Sequence, residues 1–346
     1  MRKEYRNEGA DRAEDLSPNA IPTNDVTVGS NPGNQGLIST VTESEVNSAQ
    51  AGIERAHVGG ARPMSKYKLY LKRFLRNKMA VVGAVIFFLL VLLAVIGPFT
   101  TRFAFDEADF TALSSPPTSD HWFGTSSSGN DLYAMVIHGL GRSLTIAVTV
   151  SVATTVISAI VGTTAALLGG RPERIILGTI HFLLVIPSFL IIALLVSGSG
   201  GDWKLLIVVL IAFGWMYAAR VIWSMSISVR EREYVKAARY MGVSNSKIVL
   251  RHLIPNIGSL LVINMTLGVV SAVMSETGLS FLGLGVKIPD VSLGTLLSTG
   301  ANSLIASPWE FYFPAAVLTL LTVSMAFIAD GLRDALDPNS AAAGKA

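Results

Sequence analysis

Side chains able to do chemistry are sparse in this sequence, and three of them stand in unusual surroundings. His181 and Arg220 interrupt apolar runs that otherwise carry no charge, and Glu276 closes another such run. Ionisable groups in apolar layers are costly and mark ligand paths, proton relays or internal pairs. Arg220 could attract an anionic group of a ligand, or it could snorkel to an interface. Glu276 could receive an amine or serve as an interfacial structural group. For His181 the expectation is a satisfied buried polar group rather than a proton relay. Catalytic patterns are missing. There is no Gly-x-x-x-x-Gly-Lys-Ser/Thr loop to cradle nucleotide phosphates. His57, His121, His138, His181 and His252 have no metal-binding spacing, and the absence of cysteine removes thiolate sites and nucleophiles. The stretch from Gly124 to Gly129 is not a nucleophile elbow. The chain is therefore expected not to be an enzyme and to hold no metal or cofactor of its own.

The elements around these residues follow from charge and hydropathy. Of 346 residues, 51% are hydrophobic and 15% charged, against about 25% charged in ordinary soluble domains. The charge is missing from long blocks and dense between them. Blocks at 79–101, 143–170, 175–197, 205–229, 254–275 and 311–329 are each long enough to cross about 30 Å of hydrocarbon. Helices are required, because lipid cannot satisfy open backbone groups. The fold class read from this pattern is an all-α integral membrane protein with six transmembrane helices. Pro187 is expected to kink the third of them. Lys and Arg in the connections divide sixteen to four between the two sides, which sets both termini in the cytoplasm. The net charge of +3 thus reflects membrane orientation rather than nucleic-acid binding.

Residues 1–64 read as a disordered cytoplasmic tail, too polar to offset their ordering entropy. Residues 65–78 form a basic amphipathic segment suited to an anionic leaflet, or simply a charged flank that orients the next span. Residues 102–142 make a long extracytoplasmic loop after the first span at 79–101. A five-helix core occupies 143–338, with a cytoplasmic loop at 230–255, and 339–346 form a short tail.

That loop is the most informative stretch. Glu231 to Met241 contains good helix formers and no breaker. Ala237 and Ala238 offer a small surface on which another backbone can approach closely. Gly242 stands where a helix would end in a left-handed cap, Ser244 can cap a second helix, and Pro255 closes the unit. A helix–turn–helix results, with Tyr240, Met241 and Val243 exposed near its tip as a docking knob. Glu233 and Tyr234 belong to its first helix.

The frame Lys236-Ala237-Ala238, Gly242, His252-Leu253-Ile254-Pro255 resembles the EAA loop of binding-protein-dependent ABC permeases. Lys236 replaces the usual Glu and His252 the later Ile, as in the peptide-transport branch. The run from Leu71 to Lys78, the segment from Ser280 to Val286 and the run from Asp330 to Pro338 resemble the C-type subunit of dipeptide and oligopeptide permeases. The resemblance covers roughly residues 66–338. It implies the type I ABC importer permease fold in a bacterial plasma membrane. It also implies a sister permease subunit, two ATP-binding subunits or domains that use ATP-Mg, and an extracytoplasmic solute-binding protein. Arg220, Glu276 and His181 become candidates for a translocation path. Departures exist: Ser126 and Asn130 stand where the family has an acid and an Arg, and His181 stands where it usually has Asp. Nickel chelates, glutathione or another small solute remain alternatives to peptides. An ion-gradient transporter and a scaffold subunit are the rivals from other classes, although no inverted repeat or pair of membrane acids supports the former.

Overall fold

The computed structural model describes residues 66–198, 200–287 and 290–336. The 1–64 tail and the 339–346 tail lie outside the described residues. Helix α1, Lys66–Arg76, leads into α2, Lys78–Ile96. Asn77 caps α2 by accepting a hydrogen bond from the Ala80 amide at 3.2 Å, and a 3₁₀ turn over Gly97–Phe99 ends it. Helix α3, Leu132–Leu168, is the longest element, with 37 residues. Asp131 caps it, accepting from the Ala134 amide at 2.8 Å, so it begins well before the charge-free stretch at 143. At about 55 Å it exceeds the hydrocarbon thickness, and part of the expected 102–142 loop is this helix.

The next block does not form one kinked helix. Helices α4, Gly170–Val185, and α5, Ser188–Ser197, meet at 70°. Pro187 has no amide hydrogen and pushes Ile186 into extended backbone, at φ −71° and ψ 130°, so the hydrogen-bond ladder stops there. Helix α6, Trp203–Arg230, is capped by Asp202. It is followed by α7, Glu233–Tyr240, and α8, Asn245–Ile248. A π-helical turn at Val249–Leu253 and α9, Ile254–Asn256, lead into α10, Gly258–Phe281. Helices α11, Leu293–Asn302, and α12, Trp309–Leu336, complete the described chain. Five of these helices are long and apolar enough to cross a membrane, and a sixth crossing results if the bent α4–α5 pair counts as one.

Helix α3 is the spine, and α6 and α10 lean on it through small residues. Its Ser158 hydroxyl donates to the Trp215 carbonyl of α6 at 2.7 Å, and its Ser151 hydroxyl to the Met265 carbonyl of α10 at 2.5 Å. A methyl group at Gly162 would lie 2.6 Å from the Ala219 carbonyl oxygen, and one at Gly268 would lie 2.6 Å from Ser151 Oγ. Close approach of this kind drives helix association where lipid offers no hydrophobic gain. Leu140, Ile146, Leu206, Val273, Leu293 and Leu321 fill the interior, while Phe88, Leu89 and Val95 of α2 point outward, as a lipid-facing surface requires. Gly162→Val should lower stability in detergent by about 1–3 kcal/mol through overpacking. Gly178→Ala, with nothing near its added carbon, should not. Thermal unfolding of the two variants beside the wild type measures the difference.

Candidate docking elbow and polar sites

Helix α7 ends in a Schellman motif. The Gly242 amide donates to the Arg239 carbonyl at 3.1 Å and the Val243 amide to the Ala238 carbonyl at 3.1 Å, with Gly242 at φ 75°. The expected left-handed glycine cap is therefore present. Ser244 takes the extended N-cap backbone before α8, but its side chain makes no capping bond. Beneath the turn, Val235, Ala238, Ile248, Val249, Leu253 and Ile257 pack on Leu167 of α3 and on Ile222 and Val229 of α6. The elbow is thus packed onto the ends of two long helices. Arg230 reinforces the joint by donating to the Ala166 carbonyl at 2.8 Å, one of the unpaired carbonyls at the end of α3. Its other side meets Glu231 at 3.0 Å, and Glu231 also pairs with Lys236 at 3.0 Å. Hydrogen bonds from Lys236 and then Arg230 hold the Glu231 carboxyl below its ordinary value.

Not every anticipated contact residue faces outward. Ala237, Glu233 and Pro255 are exposed, and so is Tyr234, whose hydroxyl accepts from the Asn256 amide at 2.6 Å. Ala238 is 3% exposed and belongs to the buried cluster. Its small size serves packing inside the protomer, so the expectation that it offers an approach surface is corrected. Val243 is half-buried against the same cluster. Tyr240 and Met241 stand free at the tip, 90% and 76% exposed. A cleft of about 360 Å³ runs beside them, lined by Arg230, Glu231, Lys236, Arg239, Tyr240 and Leu167.

The three ionisable residues of the apolar blocks stand in different surroundings. His181 is exposed on α4 of the lone protomer rather than buried within it as expected. Arg220 is exposed on α6. Glu276 is buried in α10. Its Oε1 accepts from Ser280 Oγ at 2.7 Å and from Ser292 Oγ at 2.5 Å. Ser292 is the N-cap of α11, so Glu276 joins α10 to α11. The first-turn amide of Leu293 in turn donates to Ser143 of α3 at 3.0 Å.

A second polar joint unites residues that the sequence pattern leaves apart. Asp290 bonds His138 Nε2 at 2.7 Å and Arg142 Nη2 at 2.6 Å, and Arg142 also lies 4.2 Å over the Trp203 ring. Phe105 stacks on His138. A signal existed, since residues 138 and 142 are four apart and share a helix face. It lay hidden because the helix was expected to start at 143. Burial pushes the Asp290 carboxyl up, but its hydrogen bonds with His138 and Arg142 outweigh burial and hold it below its ordinary value of 3.8.

Long apolar helices packed on a small-residue spine, with a helix–turn–helix elbow at one end, define a multi-pass helical membrane protein. Residues 155–341 match the family model of the binding-protein-dependent transport system inner membrane component. Residues 65–117 match the N-terminal TM domain of oligopeptide transport permease C. The chain is 43% identical over 278 residues to the oligopeptide transport system permease protein OppC of Mycobacterium tuberculosis, covering 80% of this chain and 96% of that one. Identity is 37% over 269 residues to OppC of Escherichia coli, covering 77% and 89% of the two chains. It is 33% over 268 residues to the dipeptide transport system permease protein DppC of Bacillus subtilis, covering 77% and 84%. The chain belongs to the family of binding-protein-dependent transport system inner membrane components, and within it to the oligopeptide and dipeptide C-type permeases. It is a permease subunit and not itself an enzyme.

The Asp290 joint has a pH signature. A carboxyl with a lowered folded value stabilises fully above its ordinary value of 3.8 and loses that contribution as pH falls through the folded value. Asp290→Asn should therefore cost about 1 kcal/mol at neutral pH, discounted for its partial exposure. The gap to wild type should close only below pH 3.8, as thermal unfolding across pH will measure.

Proposed function

We propose that this chain is one of two transmembrane subunits of an ATP-driven importer of short peptides in a bacterial inner membrane, with the elbow on the cytoplasmic side. The names of its relatives support the peptide substrate, and the sixteen-to-four division of Lys and Arg supports the orientation. A sister permease would complete the path, two ATPase subunits would bind and hydrolyse ATP-Mg, and an extracytoplasmic binding protein would deliver peptide. Arg220 and His181, exposed on the protomer, would contribute to the path where a sister subunit covers α4 and α6. Glu276 would contribute only after the α10–α11 joint opens.

One observation carries the coupling. Tyr240 and Met241 project from a turn whose underside is buried on α3 and α6. An exposed aromatic and a flexible thioether on a rigid base suit insertion into a groove of a partner. ATPase closure would then move elbow, α3 and α6 together and bias a bistable packing of the spans. The π turn at Val249–Leu253 passes the motion to α10.

Replacing Tyr240 and Met241 together by Asp should leave the thermal midpoint unchanged. Recovery of co-purified ATPases should fall at least about tenfold, and ATP-driven uptake of a labelled oligopeptide into vesicles should stop. Retained ATPases together with normal uptake in the double variant would refute the coupling role.

A further inference from the structure

Helix α1 presents one continuous exposed face, split lengthwise by chemistry. On a 100° per residue helix, Leu71, Leu75, Lys68, Lys72 and Arg76 fall in that order within one arc of about 140°. All five are exposed, with Leu71 and Leu75 each at 59%. The half-buried residues, Leu69, Tyr70, Arg73 and Phe74, occupy the remainder of the helix circumference. The inner face is held to the bundle. Phe74 lies against Gly331 of α12, and the Asn77 amide at the junction with α2 donates to Asp334 at 2.9 Å. Segment 66–78 contains six Lys and Arg and no carboxylate. The apolar strip of Leu71 and Leu75 continues onto Met79, Val82 and Val85 of α2, each about half exposed.

We propose that α1 is a binding surface for anionic phospholipid, lying in the leaflet interface at the elbow end of the bundle. Leu71 and Leu75 enter the acyl boundary beside the lipid-facing strip of α2. Lys68, Lys72 and Arg76 take up headgroup phosphates. Charge complementarity selects this occupant. A basic rim beside exposed leucines suits an anionic leaflet, whereas a protein partner would need carboxylates placed to match. Because Phe74 and Asn77 fasten the helix to α12, lipid charge acts on a helix fixed to the bundle rather than on a loose arm. This inference rests on the membrane-spanning reading of the helices and is independent of the peptide substrate.

The chain has no cysteine, so single labels are clean. Leu71→Cys and Leu75→Cys in the full chain carry an environment-sensitive fluorophore in nanodiscs of phosphatidylcholine, with or without phosphatidylglycerol. Quenching by neutral acrylamide should fall about threefold when phosphatidylglycerol is present, while quenching by lipids brominated near the headgroup rises. Adding Lys68→Gln, Lys72→Gln and Arg76→Gln should abolish the lipid dependence without moving the thermal midpoint. Labels equally open to acrylamide in both lipids would overturn the proposal. So would labels protected equally in both, since the face would then be covered without any part played by lipid charge. Peptide uptake, measured separately, reports on the importer reading and not on this one.

Discussion

Hydrocarbon offers no hydrogen-bond partner to a peptide group, and it gives two apolar helices no reason to prefer each other over lipid. The first condition makes every span helical. The second leaves only close packing and a few buried polar bonds to specify which helices touch. Helix α3 answers both. Ser151 and Ser158 donate to carbonyls of α10 and α6, and Gly162 admits the α6 backbone.

The contacts of α3 recur along its length. Ser143 meets α11, Ser151 meets α10, Ser158 meets α6, and the Ala166 carbonyl receives Arg230 at the base of the elbow. Intervals of seven or eight residues, about two turns, keep these contacts on one side of the helix. A displacement of the elbow therefore acts on the same rigid element that holds α11 at the opposite end. In the proposed transport cycle this gives the coupling a continuous physical route.

The two ends of the bundle are built differently. At the elbow the joint is apolar, with a single guanidinium closing it. At the other end the segment between α10 and α11 is held by carboxylates, through Glu276 to Ser280 and Ser292 and through Asp290 to His138 and Arg142. Apolar packing keeps a lever stiff. Directional polar bonds break and remake between discrete arrangements, which would suit the opening that the proposed transport cycle asks of this region.

The sequence by itself determined where the apolar blocks lie, the elbow and its glycine cap, because each rests on local rules: hydropathy over twenty residues, helix propensity and the φ of Gly242. It also carried the family resemblance, since loop wording is local. Tertiary structure decided which side chains face where. Ala238 turned inward because Leu167 and Ile222 arrive from distant parts of the chain. His181 turned outward because helix α4 is held by its other faces. Glu276 and Asp290 found serines, a histidine and an arginine far from them in the chain. The 70° break at Pro187 exceeded the expected kink, since proline removes a hydrogen bond but only the surrounding helices set how far the segments then diverge.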